Sequence, residues 1–189
     1  MKYNLNGKPS RFAQRTLANF SQSLFDLLTE KAFESISVNE LCQIVNYPRA
    51  TFYNYFEDIF DLLDYCWYCM SKEMKLDEYL EIDTESRLYT LFNRFYDYMI
   101  SYNTKLGKIM KNNALDGTLV FSFRKYLIKY VSTLMNKCDC ENTYPIPYEL
   151  MIEYYSNTVL LVIEWCFLKE KNVSKDDANH YLGYLLNNI

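Results

Sequence analysis

The sequence predicts an all-α protein of about nine helices, and three observations support that prediction. Apolar residues recur at spacings of three and four through most of the 189 residues, which is the period of an amphipathic helix. No stretch alternates apolar and polar residues as a half-buried β-strand would. Only four Gly and four Pro are present, whereas β-rich folds need many turn residues.

The helices can be placed in chain order from their apolar stripes, their caps and their breaks. Gly107 and Gly117 predict an irregular segment between two helices, and a polar stretch around residues 138–147 predicts a break before Pro147 opens the next helix. Eight of the predicted helices can be given approximate bounds, which are residues 11–31, 37–46, 49–56, 58–80, 84–103, 118–136, 148–170 and 174–188.

Charge is unevenly distributed along the chain. The formal net charge is −4, but residues 1–56 carry six Lys/Arg against four Asp/Glu, whereas residues 57–189 carry fourteen against twenty. The first 25 residues contain Lys2, Lys8, Arg11 and Arg15 and no acid. This asymmetry indicates an anionic partner for the N-terminal part of the chain.

The sequence also bears on cellular location. The N-terminus lacks the apolar central run of a secretory signal peptide, and no uncharged apolar stretch is long enough to predict a membrane span. A cytoplasmic location is therefore expected. The six cysteines are expected to be reduced thiols, since disulfides are rare in that compartment.

The segment from Ser37 to Phe56 carries the densest set of local signals. Ser37 and Glu40 have the spacing of a capping box, in which each side chain satisfies a backbone N–H at a helix start. Asn46 ends that helix, because Asn tolerates the left-handed conformation that such a turn needs. Pro48 presets φ for the next helix. The residues expected to point inward are Leu41, Cys42, Phe52 and Phe56.

Two short helices joined by a tight turn form a helix-turn-helix, whose second helix fits the major groove of DNA. Hydroxyl groups suit phosphates, while Arg and Asn can read guanine and adenine edges. Arg11 and Arg15 would add sequence-independent attraction to phosphates. The residues expected to face outward from the last helix of the motif are Arg49, Ala50, Thr51, Tyr53, Asn54 and Tyr55.

This segment resembles the N-terminal DNA-binding domain of the tetracycline-repressor (TetR) family. The resemblance lies in Phe33, in the capped segment 37–42 and in the block 51–56, and it covers roughly residues 10–64. The resemblance implies that Thr51, Tyr53 and Tyr55 contact phosphates, with Thr51 also reaching base edges. It implies that Arg49, Ala50 and Asn54 choose the DNA sequence. By the same resemblance, Ser37 and Asn39 begin a helix that touches the DNA backbone.

Three positions depart from the family pattern. Asn46 stands where the family usually has Gly, and Pro48 stands where it usually has a capping Ser. The segment Glu57-Asp58-Ile59 replaces a Lys that usually holds a phosphate. These departures predict DNA binding that is weaker, or more sensitive to salt, than is usual for the family.

The domain organisation that follows is a helix-turn-helix domain at 1–57 and a helical effector-binding and dimerisation domain at 58–189. The run 159–165 is apolar nearly all round, which requires burial on two sides and predicts a homodimer. Symmetric pairing would place two reading helices roughly 34–36 Å apart over a palindromic operator. The residues expected at the dimer interface are Leu160, Ile163, Phe167, Tyr181 and Leu185.

The aromatic residues of the C-terminal two-thirds suit either core packing or an apolar pocket between helices. As a group they favour a pocket for a small apolar or aromatic effector, although core packing is the simpler role for any one of them. The residues expected to line that pocket are Trp67, Phe95, Met99, Phe121 and Trp165.

Metal, redox and catalytic sites find little support. Cys66 and Cys69 have C-x-x-C spacing but lie within a helix, which favours a role in the core. Cys138 and Cys140 with the single histidine, His180, are too few for a convincing zinc site. No cofactor, metal or enzymatic activity is expected.

The sequence therefore predicts a dimeric DNA-binding transcriptional regulator, a repressor released by a small molecule. Two alternatives stay open. One is a helix-turn-helix protein without a small-molecule ligand. The other is a helical protein-interaction module in which DNA binding is weakened.

Overall fold

A computed structural model of the chain describes residues 10–83, 86–135, 145–169 and 173–187. Within those ranges the protein has nine α-helices and no β-strand, which confirms the predicted all-α class. Short 3₁₀-helices cover Phe33–Ser35 and Leu76–Glu81, and a π-helix covers Glu164–Leu168. The α-helices are α1 Arg11–Leu28, α2 Val38–Ile44, α3 Arg49–Tyr55, α4 Ile59–Glu73, α5 Arg87–Ser101, α6 Asn103–Asn112, α7 Thr118–Met135, α8 Tyr148–Ile163 and α9 Lys175–Asn187.

The described residues form two compact units. The first unit contains the residues up to Met70 together with Lys108–Val120. The second contains Ser71–Gly107 and the residues from Phe121 onward. A segment from the middle of the chain therefore belongs with the N-terminal helices. The predicted boundary at residues 57 and 58, between a DNA-binding domain and an effector-binding and dimerisation domain, stays a prediction.

An aromatic cluster holds α3 in the first unit. The α1 stripe buries Leu17, Phe20 and Leu24 completely. The Phe20 ring meets the edge of Phe52 at a centroid distance of 5.3 Å and Phe56 at 6.3 Å. Fully burying one such side chain contributes roughly 1.5–3 kcal/mol, and edge-to-face contacts add to that. The orientation of α3 is therefore set by the side chains that it buries against α1.

The loop after α1 is completed by residues about eighty positions away. The buried Asn113 carboxamide accepts a hydrogen bond from the Phe33 N–H at 2.9 Å and donates one to the Ile109 carbonyl at 2.9 Å. Asn112 donates to the Thr29 carbonyl at 3.1 Å. Asn113 thus satisfies a backbone donor that burial would otherwise leave without a partner.

The second unit packs α9 against α5 and α8. The Tyr96 hydroxyl donates to the Val173 carbonyl at 2.7 Å, and the Lys175 ammonium meets both oxygens of Asp97 at 2.7 and 2.8 Å. A Cβ at Gly183 would lie 2.9 Å from the Tyr89 hydroxyl. Glycine at that position therefore permits the close approach of Tyr89 to α9.

Two predicted elements differ from the structure. The predicted helix 58–80 ends at Glu73, where Lys75 takes a left-handed conformation with φ 53° and a 3₁₀-helix follows. Arg94 donates to the carbonyl of Lys75 at 2.6 Å and so satisfies a group that the break exposes. Conversely, α6 runs through Gly107 in the segment predicted to be irregular. A helical glycine costs only about 1 kcal/mol, which is too little to end that helix.

The predicted helix 148–170 changes pitch near its end. The α-helical part stops at Ile163, and Glu164–Leu168 continues as a π-helix. The largely buried Glu164 carboxylate pairs with the Arg124 guanidinium of α7 at 2.5 Å. π-Helices are rare and occur mostly as single-turn bulges within α-helices. Here the change of pitch coincides with the residue that makes this ion pair.

Candidate nucleic-acid interface

The start of α2 shows one half of the predicted capping box. The Ser37 hydroxyl accepts a hydrogen bond from the Glu40 N–H at 3.2 Å, as predicted. The Glu40 carboxylate instead pairs with the Lys31 ammonium at 2.5 Å. The helix is therefore capped by Ser37, and Glu40 ties it to the loop that follows α1.

The turn between α2 and α3 has the conformation expected from its sequence. Asn46 is left-handed with φ 54°, which confirms the prediction. Its N–H donates to the Gln43 carbonyl at 3.2 Å, and the Tyr47 N–H donates to the Cys42 carbonyl at 3.0 Å. These two bonds are those of a Schellman motif. Pro48 then precedes α3 with φ −60°.

Tyr47 fastens this turn to α1, a role that the sequence analysis missed. Its ring lies 5.8 Å from the Phe20 ring, and its hydroxyl accepts a hydrogen bond from Asn19 at 3.2 Å. The sequence did contain a signal for this role, which is the aromatic residue directly after Asn46. A hydrophobic contact commonly accompanies this kind of helix end.

The predicted inward and outward faces of α3 are borne out by the burial of its side chains. Phe52 and Phe56 are fully buried, and Leu41 and Cys42 of α2 are buried as well. All ten residues predicted to contact DNA belong to the first unit, and none is buried. Thr51 and Tyr55 are half-buried. The exposed ones are Arg11, Arg15, Ser37, Asn39, Arg49, Ala50, Tyr53 and Asn54.

Arg49 and Tyr53 form a pair on the exposed side of α3. The guanidinium donates to the Tyr53 hydroxyl at 3.2 Å, and its carbon lies 5.8 Å from the ring centroid. That hydrogen bond raises the pKa of Arg49. Residues four apart on a helix are neighbours, so the spacing of Arg49 and Tyr53 in the sequence already indicated this contact. The pair restricts the orientation of an arginine that still has further donors to offer.

The acidic residues after α3 have a structural role. The Asp58 carboxylate accepts from the Asp61 N–H at 2.9 Å, and the Asp61 carboxylate accepts from the Glu57 N–H at 2.9 Å. Acceptors and negative charge at a helix start are favourable. Ile59, where the family usually has a phosphate-binding Lys, is the first residue of α4 and is half-buried. The acidic residues that depart from the family pattern thus satisfy backbone N–H groups at the start of α4.

The residues predicted to line an effector pocket differ in burial. Trp67 lies in the first unit, where its ring packs against Phe25 at 6.2 Å. Phe95 and Met99 are buried in α5 of the second unit. Phe121 and Trp165 are exposed, with 66% and 43% of their surface accessible. A pocket formed by these five residues stays a prediction.

The residues predicted to form a dimer interface also differ in burial. Leu160 and Ile163 are buried within the second unit, at 3% and 1% exposed. Phe167 packs on Tyr96 at 5.0 Å, and Leu185 is half-buried, whereas Tyr181 is exposed. The large apolar or aromatic side chains that are exposed on α8, the π-helix and α9 are Leu150, Leu161, Trp165, Tyr181 and Tyr184.

The cysteines of the described ranges are free thiols. Burial raises the pKa of Cys66 well above its ordinary value and raises that of Cys166 to about 11, which disfavours the reactive thiolate. Within these ranges no group of three His, Cys, Asp or Glu side chains could hold a metal ion. His180 lies beside Tyr181. Lys2, Lys8, Cys138 and Cys140 lie outside the described residues.

No helix among the described residues combines the length and the apolar character that a membrane crossing requires.

The arrangement of helices has counterparts among solved structures, and it is the fold of TetR-family regulators. A Syntrophomonas wolfei protein described as a TetR-family transcriptional regulator matches with a TM-score of 0.62 and 16% identity, over 92% of this chain and 94% of that chain. A Clostridium perfringens protein described as a fatty acid metabolism regulator matches with a TM-score of 0.53 and 10% identity, over 90% and 98%.

These similarities confirm the predicted family resemblance at the level of the fold, and they extend it from the N-terminal third to most of the chain. Both solved proteins are described as regulators rather than as enzymes. No family model matches the sequence, and no curated protein matches it either.

Proposed function

We propose that the chain is a dimeric, DNA-binding transcriptional regulator, and specifically a repressor that a small molecule releases from its operator. The observation that carries this proposal is that α3 has a buried apolar side and an exposed polar side. Phe52 and Phe56 are fully buried, while the residues between and around them present polar groups to solvent. The fold shared with two described regulators supports the same function.

In this proposal α3 enters the major groove. Arg49 and Asn54 would read base edges, and the hydroxyls of Thr51, Tyr53 and Tyr55 would hold phosphates. The contact between Arg49 and Tyr53 supports this role, because it limits the side-chain freedom that binding would otherwise remove. Arg11 and Arg15, both exposed on α1, would add attraction to the backbone.

Fluorescence anisotropy with DNA from upstream of the protein's own gene tests this role. Replacing Arg49 by Ala should weaken binding by about tenfold, since a bidentate contact to a base contributes roughly 1–3 kcal/mol. The control Lys125→Ala removes an exposed cation of α7 and should leave binding unchanged. Absence of binding even at low salt, by protein of normal helix content, would overturn the proposal.

The dimer would form through the exposed apolar side chains of α8, the π-helix and α9. The exposed side chains that such an interface would cover are Leu161, Trp165, Tyr181 and Tyr184. A second copy of the chain would cover them through the same surface on each side. That symmetry suits a palindromic operator whose half-sites lie about one DNA turn, roughly 34 Å, apart.

Light scattering coupled to gel filtration tests the dimer. Replacing Leu161 by Asp places a charge in the proposed interface and should produce a monomer. Phe121→Asp changes an even more exposed apolar residue of α7 and should leave the dimer intact. A wild-type monomer at micromolar concentration, or a dimer that survives Leu161→Asp, would contradict this interface.

A regulator without an apolar effector is a second candidate, and one observation favours it. Trp67, Phe95 and Met99 are buried by the chain's own side chains. Residues that already fill a core leave less room for an apolar ligand. Release by an effector therefore requires a binding site of a different kind.

A further inference from the structure

An open groove of about 370 Å³ lies in the second unit, where the end of α4 meets α5. Its size is within the range of about 300–1,000 Å³ that is usual for small-molecule sites. Most of the side chains that line it are charged or aromatic. The side chains that give it this character are Glu73, Lys75, Arg94, Asp97, Tyr98 and Tyr102.

Two of the four charged side chains are already paired within the protein. Arg94 donates to the Lys75 carbonyl at 2.6 Å and to the Glu78 carboxylate at 2.8 Å. Asp97 holds the Lys175 ammonium at 2.7 Å. These two charges shape the groove, but their partners offset them.

The charges of Glu73 and Lys75 are offset less by partners within the protein. The Glu73 carboxylate accepts a hydrogen bond from the Tyr102 hydroxyl at 3.1 Å, and no Lys or Arg of the described residues pairs with it. The Lys75 side chain is 65% exposed, and its ammonium lies 4.0 Å from the Glu78 carboxylate. Glu78 is held more closely by Arg94. The groove therefore presents one carboxylate and one ammonium that are available to a ligand.

The aromatic wall is formed by Tyr98 and Tyr102. Their ring centroids lie 4.6 Å apart with an interplanar angle of 40°. Burial, together with the hydrogen bond to Glu73, raises the pKa of Tyr102, so its hydroxyl stays protonated and keeps donating to that carboxylate. A ligand with a flat apolar part can pack against these rings.

We infer that this groove binds a small zwitterion of the α-amino-acid class with an aromatic or large apolar side chain. The ligand ammonium would meet Glu73, its carboxylate would meet Lys75, and its side chain would lie against Tyr98 and Tyr102. Charges of both signs favour a zwitterion, because a ligand that is only a cation faces Lys75 and one that is only an anion faces Glu73. The role of this ligand as the effector rests on the proposed function.

Isothermal titration calorimetry on the full chain with three matched probes tests the inference. Phenylalanine carries both charges, phenethylamine carries only the ammonium, and 3-phenylpropionate carries only the carboxylate. Phenylalanine should bind up to about fivefold more tightly than either of the others, which is the upper end of what one partly exposed ion pair contributes. Equal binding of phenethylamine or of 3-phenylpropionate would overturn the zwitterion, as would no heat from any probe at millimolar concentration.

Two variants locate the binding. Glu73→Gln should weaken phenylalanine and phenethylamine about fivefold without weakening 3-phenylpropionate. Lys75→Met should weaken phenylalanine and 3-phenylpropionate about fivefold without weakening phenethylamine. Glu81→Gln and Lys125→Met alter exposed charges outside the groove and serve as controls. Probe binding that neither groove variant changes would overturn the site.

A separate measurement keeps this inference apart from the proposed function. DNA binding without any probe is measured by anisotropy on the same protein. Protein that binds its operator but none of the three probes contradicts only the groove. Protein that binds phenylalanine through Glu73 and Lys75 but binds no DNA contradicts only the regulator.

Discussion

Two residues in different units share the same unusual backbone conformation, and they are held in it by different means. Asn46 of the helix-turn-helix has φ 54°, and Lys75 beside the groove has φ 53°. Asn46 sits in a Schellman motif made from its own neighbours. At Lys75, Arg94 from another helix bonds the carbonyl. The first conformation is encoded locally, whereas the second depends on tertiary structure.

The contrast extends to the residue types. Asparagine visits the left-handed region readily, but a lysine there carries a cost of roughly 1–2 kcal/mol. Such strain persists where contacts with the surrounding structure hold the backbone in that conformation, and it is often found at functional sites. The strained Lys75 lies in the proposed ligand groove, and the tolerant Asn46 lies in a turn whose task is to place α3.

The largest effect is expected from the buried rings that hold the helix-turn-helix. Phe52→Ala should lower the free energy of unfolding by about 3–5 kcal/mol, because it removes a fully buried aromatic ring. The neighbouring Tyr53→Ala, on the exposed side, should change it by less than about 1 kcal/mol. Urea unfolding followed by circular dichroism measures both. Similar losses for the two variants would contradict the inward and outward division of α3.

A smaller loss of stability is expected when the ion pair between Arg124 and Glu164 in the second unit is broken. Arg124→Met should cost about 2 kcal/mol, since it leaves the buried Glu164 carboxylate without its cation. The loss is below that of a fully buried pair because Arg124 is half exposed. Lys125→Met, one position along, should cost less than about 0.5 kcal/mol.

The double variant Arg124→Met with Glu164→Met sharpens this test. Replacing both partners by apolar groups removes the unpaired charge, so the double variant should recover most of the lost stability. Urea unfolding of the set provides the measurement. A double variant as unstable as Arg124→Met alone would mean that the guanidinium acts through packing and not through Glu164.

These contrasts explain what the sequence could predict. The cap at Ser37, the turn at Asn46 and the paired Phe52 and Phe56 are local signals, and the structure confirms each of them. The break at Lys75 follows no Gly or Pro, and Arg94 lies nineteen residues away. Periodicity alone therefore predicted one continuous helix through residues 58–80.

The candidate sites outside α3 were less predictable for a related reason. The run 159–165 is apolar nearly all round, so its pattern could not distinguish the inward Leu160 from the outward Leu161. The charged residues of the groove look like ordinary surface residues in the sequence. Only the fold brings Glu73 and Lys75 of the α4 end together with Tyr98 and Tyr102 of α5 and the residue after it.

A moderate effect is expected at Asn113, whose contact spans eighty residues within the first unit. Asn113→Ala should cost about 1–3 kcal/mol, because the buried Phe33 N–H loses its acceptor. The control Asn157→Ala removes an exposed side chain that donates to the Glu153 carbonyl of its own helix. That control should change the stability by less than about 0.5 kcal/mol.

Urea unfolding again provides the measurement for Asn113, and hydrogen exchange adds a local readout. The Phe33 amide should exchange faster in Asn113→Ala, in excess of the change in global stability. Unchanged exchange at Phe33 would show that another group satisfies this amide and that Asn113 does not fasten the loop.

The smallest effect returns to the two left-handed residues. Lys75→Gly should raise the free energy of unfolding by about 0.5–1 kcal/mol, because relief of the left-handed strain exceeds the entropy that glycine loses on folding. Asn46→Gly should raise it by less than about 0.5 kcal/mol, since asparagine already tolerates that conformation. Thermal unfolding of both variants gives the comparison.

Lys75→Met separates strain from charge, because methionine keeps the cost of the left-handed backbone and removes only the ammonium. Its stability should match the wild type, while phenylalanine binding falls as it does in Lys75→Gly. If Lys75→Gly proved no more stable than Lys75→Met, then Arg94 and the 3₁₀-helix would hold a backbone that carries no strain. In that case only the ammonium at residue 75, and not its backbone conformation, would connect this corner of the second unit with ligand binding.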